Sequence, residues 1–192
     1  MILTWGRFNM TRVYFDTEFT GLQKGTELIS IGLVDEDGNT FYAELNDYDK
    51  DMITPWLQEN VVDNLLYNNT DVLVKVDKGW PQKLSHFRMK DDREAVGKSL
   101  CEWFKRFDKV EIWSDCLAYD WVLFNDLFGT AFDIPSNVYY IPFDICTAFK
   151  MRGIDPDISR EAFADNKDLD GKHNALHDAL VIKACYDKLV AK

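Results

Sequence analysis

The sequence has few of the features that are typical of secreted proteins, zinc-binding proteins or membrane proteins. Its four cysteines are widely spaced over 192 residues and form no CxxC pair, so neither a disulfide framework nor a zinc site is predicted. No stretch approaches the roughly 18 consecutive apolar residues of a membrane helix, and the first residues lack the small-residue cleavage site of a signal peptide. We therefore expect a cytoplasmic protein with reduced thiols and no membrane contact.

The chain is also poor in positive charge, with a formal net charge of −11. This balance excludes a protein that coats nucleic acid through its whole surface. It does not exclude an enzyme that grips one strand end, because bound divalent cations invert the local field. The composition is that of a globular protein. We expect a single domain over residues 12–192, and an N-terminal extension over residues 1–11 that is either loosely ordered or not native.

The order of predicted elements indicates a mixed α/β protein. Three apolar runs at residues 12–17, 27–34 and 40–45 predict a three-stranded antiparallel meander. Further along the chain, the predicted helices cover residues 54–66, 91–107, 119–128, 143–151 and 174–190, the predicted strands cover 110–113 and 138–141, and 70–90 is predicted as loop. Together these elements predict a sheet of about five strands that is covered by helices. The sheet consists of the antiparallel meander and further parallel strands, and the order of its elements along the chain is typical of a ribonuclease H-like fold.

Two carboxylates stand two residues apart on the first predicted strand. Asp16 and Glu18 leave the same face of that strand, and close like charges in a buried setting are costly unless something neutralises them. A divalent cation such as Mg²⁺ or Mn²⁺ would do so through hard oxygen ligands. The alternative is that the strand ends at Asp16 and both side chains face solvent or cap a turn.

Further candidates lie much later in the chain. His173 and Asp178 flank the start of the last predicted helix, and five residues span roughly 140° of helical rotation. They can therefore face one point only if His173 lies in the preceding loop and Asp178 on the helix. Asp120 lies at the start of another helix, where the helix dipole alone would favour an acid. A capping or surface role is the alternative for His173.

The combination of these motifs resembles a known family. The segment DTEFTGL at residues 16–22, the AYD that ends at Asp120, and His173-x4-Asp178 are similar to the DEDDh branch of the DnaQ-like 3′→5′ exonucleases, and closest to its small exoribonuclease-like group in bacteria and phages. The resemblance implies that Asp16, Glu18, Asp120 and Asp178 hold two Mg²⁺ or Mn²⁺ ions. It also implies that His173 is the general base, a role suited to an imidazole near neutral pH.

The same resemblance suggests where substrate binds. Phe19, Thr20 and Leu22 follow the first motif and are candidates for contact with the terminal bases; core packing by a turn is the alternative. The expected substrates are the 3′ ends of RNA or single-stranded DNA, and a homodimer is the expected assembly.

Three functions remain open at this point. The first is a two-metal-ion exonuclease that releases nucleoside 5′-monophosphates from a 3′ end, and the second is a non-catalytic ribonuclease H-like binding module. The third is a phosphodiesterase for very short oligonucleotides, which would use the same residues. The sequence does not discriminate ribose from deoxyribose.

Overall fold

A computed structural model describes residues 10–67, 86–165 and 173–191 of the protein. Most of the predicted N-terminal extension, residues 1–9, lies outside these ranges. Thr11 already belongs to the first strand.

The described residues form a mixed sheet of six strands. In chain order the strands are β1 (Thr11–Phe19), β2 (Leu28–Asp35), β3 (Thr40–Leu45), β4 (His86–Asp91), β5 (Val110–Ser114) and β6 (Phe143–Asp144). They lie in the order β4-β3-β2-β1-β5-β6. The predicted antiparallel meander β1–β2–β3 is confirmed, and the other neighbouring pairs are parallel.

Two predictions about the sheet were wrong. The loop predicted for residues 70–90 contains the start of β4, an edge strand whose exposed polar residues alternate with half-buried Phe87 and Met89. Phe87 stacks on Phe41 of β3 at a centroid distance of 5.0 Å, a pairing that the charged residues of this segment hide in the sequence. The strand predicted for residues 138–141 is reduced to one bridge between Val138 and Val110, and β6 takes the position beside β5. Residues 68–85 lie outside the described ranges.

Helices cover both faces of the sheet. They are α1 (Pro55–Asn60), α2 (Arg93–Phe104), α3 (Ala118–Asp126), α4 (Ile145–Met151), α5 (Arg160–Ala164) and α6 (Ala175–Val190). Side chains cap several of their N-termini: Asp92 accepts from the Ala95 N–H, and Asn174 accepts from the N–H groups of Leu176 and His177. The helix predicted from residue 54 ends earlier than expected, at Asn60, and α5 was not predicted.

Two apolar clusters hold the layers together. One joins the sheet to α2 and α3, and the other joins it to α4, α5 and α6. All residues of β2 are buried because helices cover this strand on both faces. The sheet alternation places Tyr14 of β1 in the second cluster and Val13 and Phe15 in the first. Side chains at even-numbered positions of β1 therefore face α6.

Candidate active site

Asp16 and Glu18 lie on the face of β1 that is directed towards α6. Strand pairing with β2 continues through Glu18 to Phe19, with a register irregularity at its end. The strand therefore does not end at Asp16, and the alternative that placed both acids in a turn was wrong. Between them, Thr17 points to the opposite face and is 4% exposed. The spacing of two thus puts two half-buried carboxylates side by side.

The last helix brings a third carboxylate to this pair. Gly32 of β2 pairs with Asp16, and its missing side chain allows the backbone of α6 at Ala175 and Leu176 to approach the sheet closely. One turn later, Asp178 reaches the pair. One carboxylate oxygen from each of Asp16, Glu18 and Asp178 lies within 4.8 Å of the other two. Residues separated by more than 150 positions in sequence thus form one acidic cluster.

His173 lies immediately before the Asn174 cap of α6, in the loop position that the sequence indicates. It has a left-handed backbone, with φ of 64°, a conformation that is costly for a residue with a side chain. Its backbone N–H donates to Asp178 Oδ2 at 3.2 Å, which ties the loop to the acidic cluster. Its ring contacts Trp56 edge to face, with a centroid distance of 5.2 Å. Trp56 is 55% exposed and lies in α1, within the helix predicted over residues 54–66.

Asp120 approaches the cluster from the opposite face of β1. It lies in the first turn of α3 and is 6% exposed. Its Oδ1 accepts two hydrogen bonds from Thr17, one from the backbone N–H at 3.1 Å and one from the hydroxyl at 2.6 Å. Asp120 is therefore fixed to the residue between Asp16 and Glu18, although it is not one of the three acids whose oxygens lie within 4.8 Å. Sequence reasoning missed the role of Thr17.

The acids raise one another's pKa. Burial, followed by repulsion from Asp120, Asp178 and Glu18, raises the pKa of Asp16 well above its ordinary value. Burial and the nearby Asp178 raise the pKa of Glu18 to about 8. Burial raises the pKa of Asp120 to about 6, although its hydrogen bonds from Thr17 act in the opposite direction.

The raised pKa values reflect repulsion and poor hydration of the carboxylates, which a divalent cation would relieve. Crowded carboxylates must bind protons or a cation to coexist in a poorly hydrated place. All donor atoms in the cluster are hard carboxylate oxygens, which suit Mg²⁺ or Mn²⁺ rather than a thiophilic metal. The residues present therefore fit a divalent-cation site.

The three predicted substrate-contact residues differ in their surroundings. The ring of Phe19 stacks on Tyr119 at 5.6 Å, and the Tyr119 hydroxyl donates to the carbonyl oxygen of Leu22 at 2.9 Å. Leu22 is 75% exposed, whereas Thr20 is 3% exposed and its hydroxyl accepts from the Glu27 N–H. Phe19, Leu22 and Tyr119 thus form an aromatic and apolar rim, while Thr20 braces the turn beneath it. Substrate contact stays a prediction for all three residues.

A mixed sheet with an acidic cluster and a neighbouring histidine is the arrangement expected of one class of protein, a nuclease of the DnaQ-like exonuclease type. The whole sequence then gives the particular family, because residues 11–189 match the Rv2179c-like family, whose model is described as the 3′-5′ exoribonuclease Rv2179c-like domain. The chain belongs to this family. It is accordingly an enzyme, a 3′→5′ exonuclease, and the resemblance noted from its motifs is confirmed.

Two relatives and one solved structure are similar to parts of this chain. The chain is 29% identical over 129 residues to the 3′-5′ exoribonuclease Rv2179c of Mycobacterium tuberculosis H37Rv, covering 66% of this chain and 67% of the relative. The 3′-5′ exoribonuclease MT2234.1 of the CDC 1551 / Oshkosh strain gives the same values. Among solved structures, the Pan2 catalytic unit of Neurospora crassa, with its protease and nuclease domain, matches with a TM-score of 0.48 and 17% identity. That match covers 94% of this chain but 27% of the Pan2 chain.

None of the helices in the described residues is long and apolar enough to cross a bilayer.

Proposed function

We propose that this protein is a divalent-cation-dependent exoribonuclease that removes nucleoside 5′-monophosphates one at a time from the 3′ end of RNA. Asp16, Glu18, Asp120 and Asp178 would hold two Mg²⁺ or Mn²⁺ ions, and His173 would act as the general base. The observation that carries this proposal is the convergence of Asp16, Glu18 and Asp178 within 4.8 Å. The RNA substrate is supported by the family description and by the names of the mycobacterial relatives.

Different elements of the fold hold the four acids in the positions that cation binding would require. Asp16 and Glu18 are held by a central strand, and Asp178 is held by a helix packed on that strand, so the three oxygens are positioned before any ligand arrives. Asp120 is oriented through Thr17 and would complete the ligand set from the other face of β1. Cations held by these four acids would neutralise charge on the scissile phosphate, promote attack by water and stabilise the leaving 3′-oxygen.

His173 supplies the proton transfer in this proposal. As water attacks phosphorus, the imidazole accepts the water proton while the bond from phosphorus to the 3′-oxygen breaks. The leaving 3′-oxygen takes up a proton from solvent, so the products are a nucleoside 5′-monophosphate and a chain shortened by one nucleotide with a new 3′-hydroxyl. The hydrogen bond from the His173 N–H to Asp178 couples the base to the acidic cluster, so the loop and the helix are positioned together.

The rim beside the cluster would hold the end of the strand. Phe19 and the exposed Leu22 offer apolar surface, and Tyr119 holds both in place. Stacking of a terminal base on such a surface is tolerant of sequence and contributes about 1–3 kcal/mol per base. This arrangement suits an exonuclease, which must bind ends irrespective of their sequence.

One experiment tests both the released product and the preference for ribose or deoxyribose in the substrate. Matched RNA and DNA oligonucleotides with a labelled 3′-terminal nucleotide would be incubated with the protein and Mn²⁺, single-stranded and as 3′ overhangs. We expect early release of the labelled nucleoside 5′-monophosphate, faster from RNA than from DNA. Asp16→Asn should abolish the release, whereas Asp126→Asn, a matched change at an exposed position of α3, should leave it unchanged.

The possible results distinguish the proposed function from the alternative functions. Internal cleavage products, or equal activity in Asp16→Asn, would contradict it. A rate that collapses for all but the shortest oligonucleotides would instead identify a phosphodiesterase for very short substrates. A faster rate on DNA would overturn the choice of ribose. Sedimentation of the same sample tests the expected homodimer.

A further inference from the structure

Two of the four cysteines lie side by side at the surface, although no sequence spacing connects them. Cys116 lies in the loop between β5 and α3 and is exposed; Cys146 lies in the first turn of α4 and is half-buried. Their sulfur atoms are 3.7 Å apart. A disulfide requires about 2.05 Å, so the sulfurs would need to approach by less than the length of a carbon–sulfur bond.

The groups around the pair disfavour a metal as its occupant. Asp115 Oδ1, Cys116 Sγ and Cys146 Sγ lie close enough together to be ligands. However, the Arg160 guanidinium donates to both oxygens of Asp115, at 2.7 and 2.9 Å, and lies 2.8 Å from Cys146 Sγ. A cation would have to displace this guanidinium and the ion pair that it forms. A neutral disulfide would leave the guanidinium and its ion pair with Asp115 in place.

We propose that Cys116 and Cys146 are a redox site, which forms a reversible intramolecular disulfide and thereby slows the nuclease. A small-molecule disulfide such as oxidised glutathione is the oxidant. The Cys116 thiolate attacks one of its sulfurs and releases one glutathione; the Cys146 thiolate then attacks Cys116 in the mixed disulfide and releases the second. Two cysteine thiols are oxidised, two electrons reduce the glutathione disulfide, and the two protons pass to the released thiols.

The two cysteines differ in a way that sets this order. The exposed Cys116 meets the oxidant first. Burial raises the pKa of both thiols, and with the hydrogen bond to Asp115 it raises that of Cys146 to about 12. Cys146 is therefore a poor nucleophile towards an oxidant in solution, and it acts in the second step because the Cys116 sulfur is held 3.7 Å away. The neighbouring Arg160 guanidinium favours the thiolate as it forms.

The disulfide would act on the active site through the chain that links Cys116 to Asp120. Cys116 has a left-handed backbone, with φ of 49°; its N–H donates to Asp144 Oδ1, and its carbonyl oxygen accepts from the Ala118 N–H. Tyr119 and Asp120 follow directly in the first turn of α3. Moving Cys116 towards α4 would therefore pull this turn away from Thr17 and from the Phe19 rim. The effect on rate rests on the proposed function; the formation of the disulfide does not.

Thiol chemistry tests the site without any assay of activity. The full chain would be incubated with oxidised glutathione, then denatured, its free thiols counted and its peptides mapped. We expect the thiol count to fall from four to two, with one peptide pair joining Cys116 and Cys146, and dithiothreitol to restore all four. The double variant Cys101→Ser/Cys185→Ser should form the same bond, and neither Cys116→Ser nor Cys146→Ser should form it. Four free thiols in the treated wild type, a bond between other cysteines, or stoichiometric Zn²⁺ binding that Cys116→Ser abolishes would overturn the proposal.

The rate provides the second readout. Once peptide mapping has shown the disulfide, we expect the rate of nucleotide release from the 3′ end to fall about tenfold or more, because the residues that support a metal ligand are displaced. The rate should recover with dithiothreitol. Cys116→Ser should match the reduced wild type and should not respond to the oxidant. An oxidised protein with an unchanged rate would overturn the regulatory part. If the reduced protein released no nucleotide, the proposed function would fail while the thiol result stood.

Discussion

Gly32 of β2 lies directly beneath the backbone of Leu176 in α6. A Cβ built on Gly32 would come within 2.3 Å of the Leu176 nitrogen and 2.4 Å of the Ala175 carbonyl carbon. Because Gly32 pairs with Asp16 across the sheet, this contact sets the distance between the strand and the helix that carry the acidic cluster. A residue with no functional group thus determines whether Asp178 can reach Asp16.

We predict that Gly32→Ala separates these elements. The added methyl group meets backbone rather than a mobile side chain, and overpacking of this kind costs about 1–3 kcal/mol of unfolding free energy. Chemical denaturation measures that loss, and Mn²⁺ titration should show a cation affinity reduced at least tenfold. Gly97→Ala is the control: its Cβ would meet the Leu127 carbonyl oxygen at 2.2 Å, two turns from Asp120. Because Leu127 follows α3, which carries Asp120, this change should lower stability but reduce the Mn²⁺ affinity less than Gly32→Ala does. A Gly32→Ala protein with wild-type Mn²⁺ affinity would contradict the prediction.

Local periodicity was sufficient to predict part of the candidate site. The spacing of two in a strand put Asp16 and Glu18 on one face, and the position of His173 before the last helix followed from helical geometry. The clamp of Thr17 on Asp120, the close approach at Gly32 and the contact of Trp56 with His173 were not predicted. Each joins segments far apart in sequence, and none of these residue types signals its partner.

The fold, too, was predictable from the sequence only in part. The meander was predictable because each of its strands has a strong apolar pattern. The edge strand β4 was not, because only one of its faces packs on the core and its charged residues resemble a loop. The segment from Val138 to Ile141 resembles a strand, yet Ile141 is exposed and only Val138 pairs with β5. Pairing at an edge depends on which segment lies beside it in the folded sheet, and the pattern of a single segment does not contain that information.

We predict that Thr17→Val weakens the site without removing any carboxylate. Valine keeps the shape of threonine and its backbone N–H, but it removes the hydroxyl that donates to Asp120. A hydrogen bond to a charged group contributes about 1.5–3 kcal/mol, and the loss of support for a metal ligand costs about 10–100-fold in affinity or activity. Mn²⁺ titration by calorimetry measures the change. Thr17→Ser keeps the hydroxyl and should bind Mn²⁺ as the wild type does; equal loss in both variants would show that packing, not the hydrogen bond, matters.

The stability of the metal-free protein should fall as pH rises towards 8. Glu18 has a folded-state pKa of about 8, against about 4.3 for an unperturbed glutamate. Between these values the folded state binds more protons than the unfolded state, so the free energy of unfolding decreases with increasing pH. Asp120, with a pKa of about 6, adds to the decrease at the lower end. Denaturant titrations in EDTA across this range measure the slope.

Two variants and Mn²⁺ check the origin of that slope. Glu18→Gln should flatten it, whereas Glu94→Gln, at an exposed position of α2, should leave it unchanged. Mn²⁺ should raise the melting temperature more at pH 8 than at pH 6, because protons compete with the cation for the same oxygens. A slope of the opposite sign in the wild type would mean that these acids are not crowded in solution.

His173→Ala and Asp178→Asn should separate proton transfer from cation binding. In the proposed mechanism His173 contributes its ring to the reaction, while its backbone N–H, which the substitution retains, contacts Asp178. We therefore expect His173→Ala to lose about 10²–10⁴-fold in rate and to keep its stabilisation by Mn²⁺. Asp178→Asn removes a carboxylate from the cluster, so it should lose both the rate and the Mn²⁺ stabilisation while the metal-free protein becomes no less stable. His86→Ala, on the edge strand β4, is the control and should keep the wild-type rate. If His173→Ala instead lost Mn²⁺ stabilisation to the same degree as Asp178→Asn, His173 would belong to the cation site rather than act as the base.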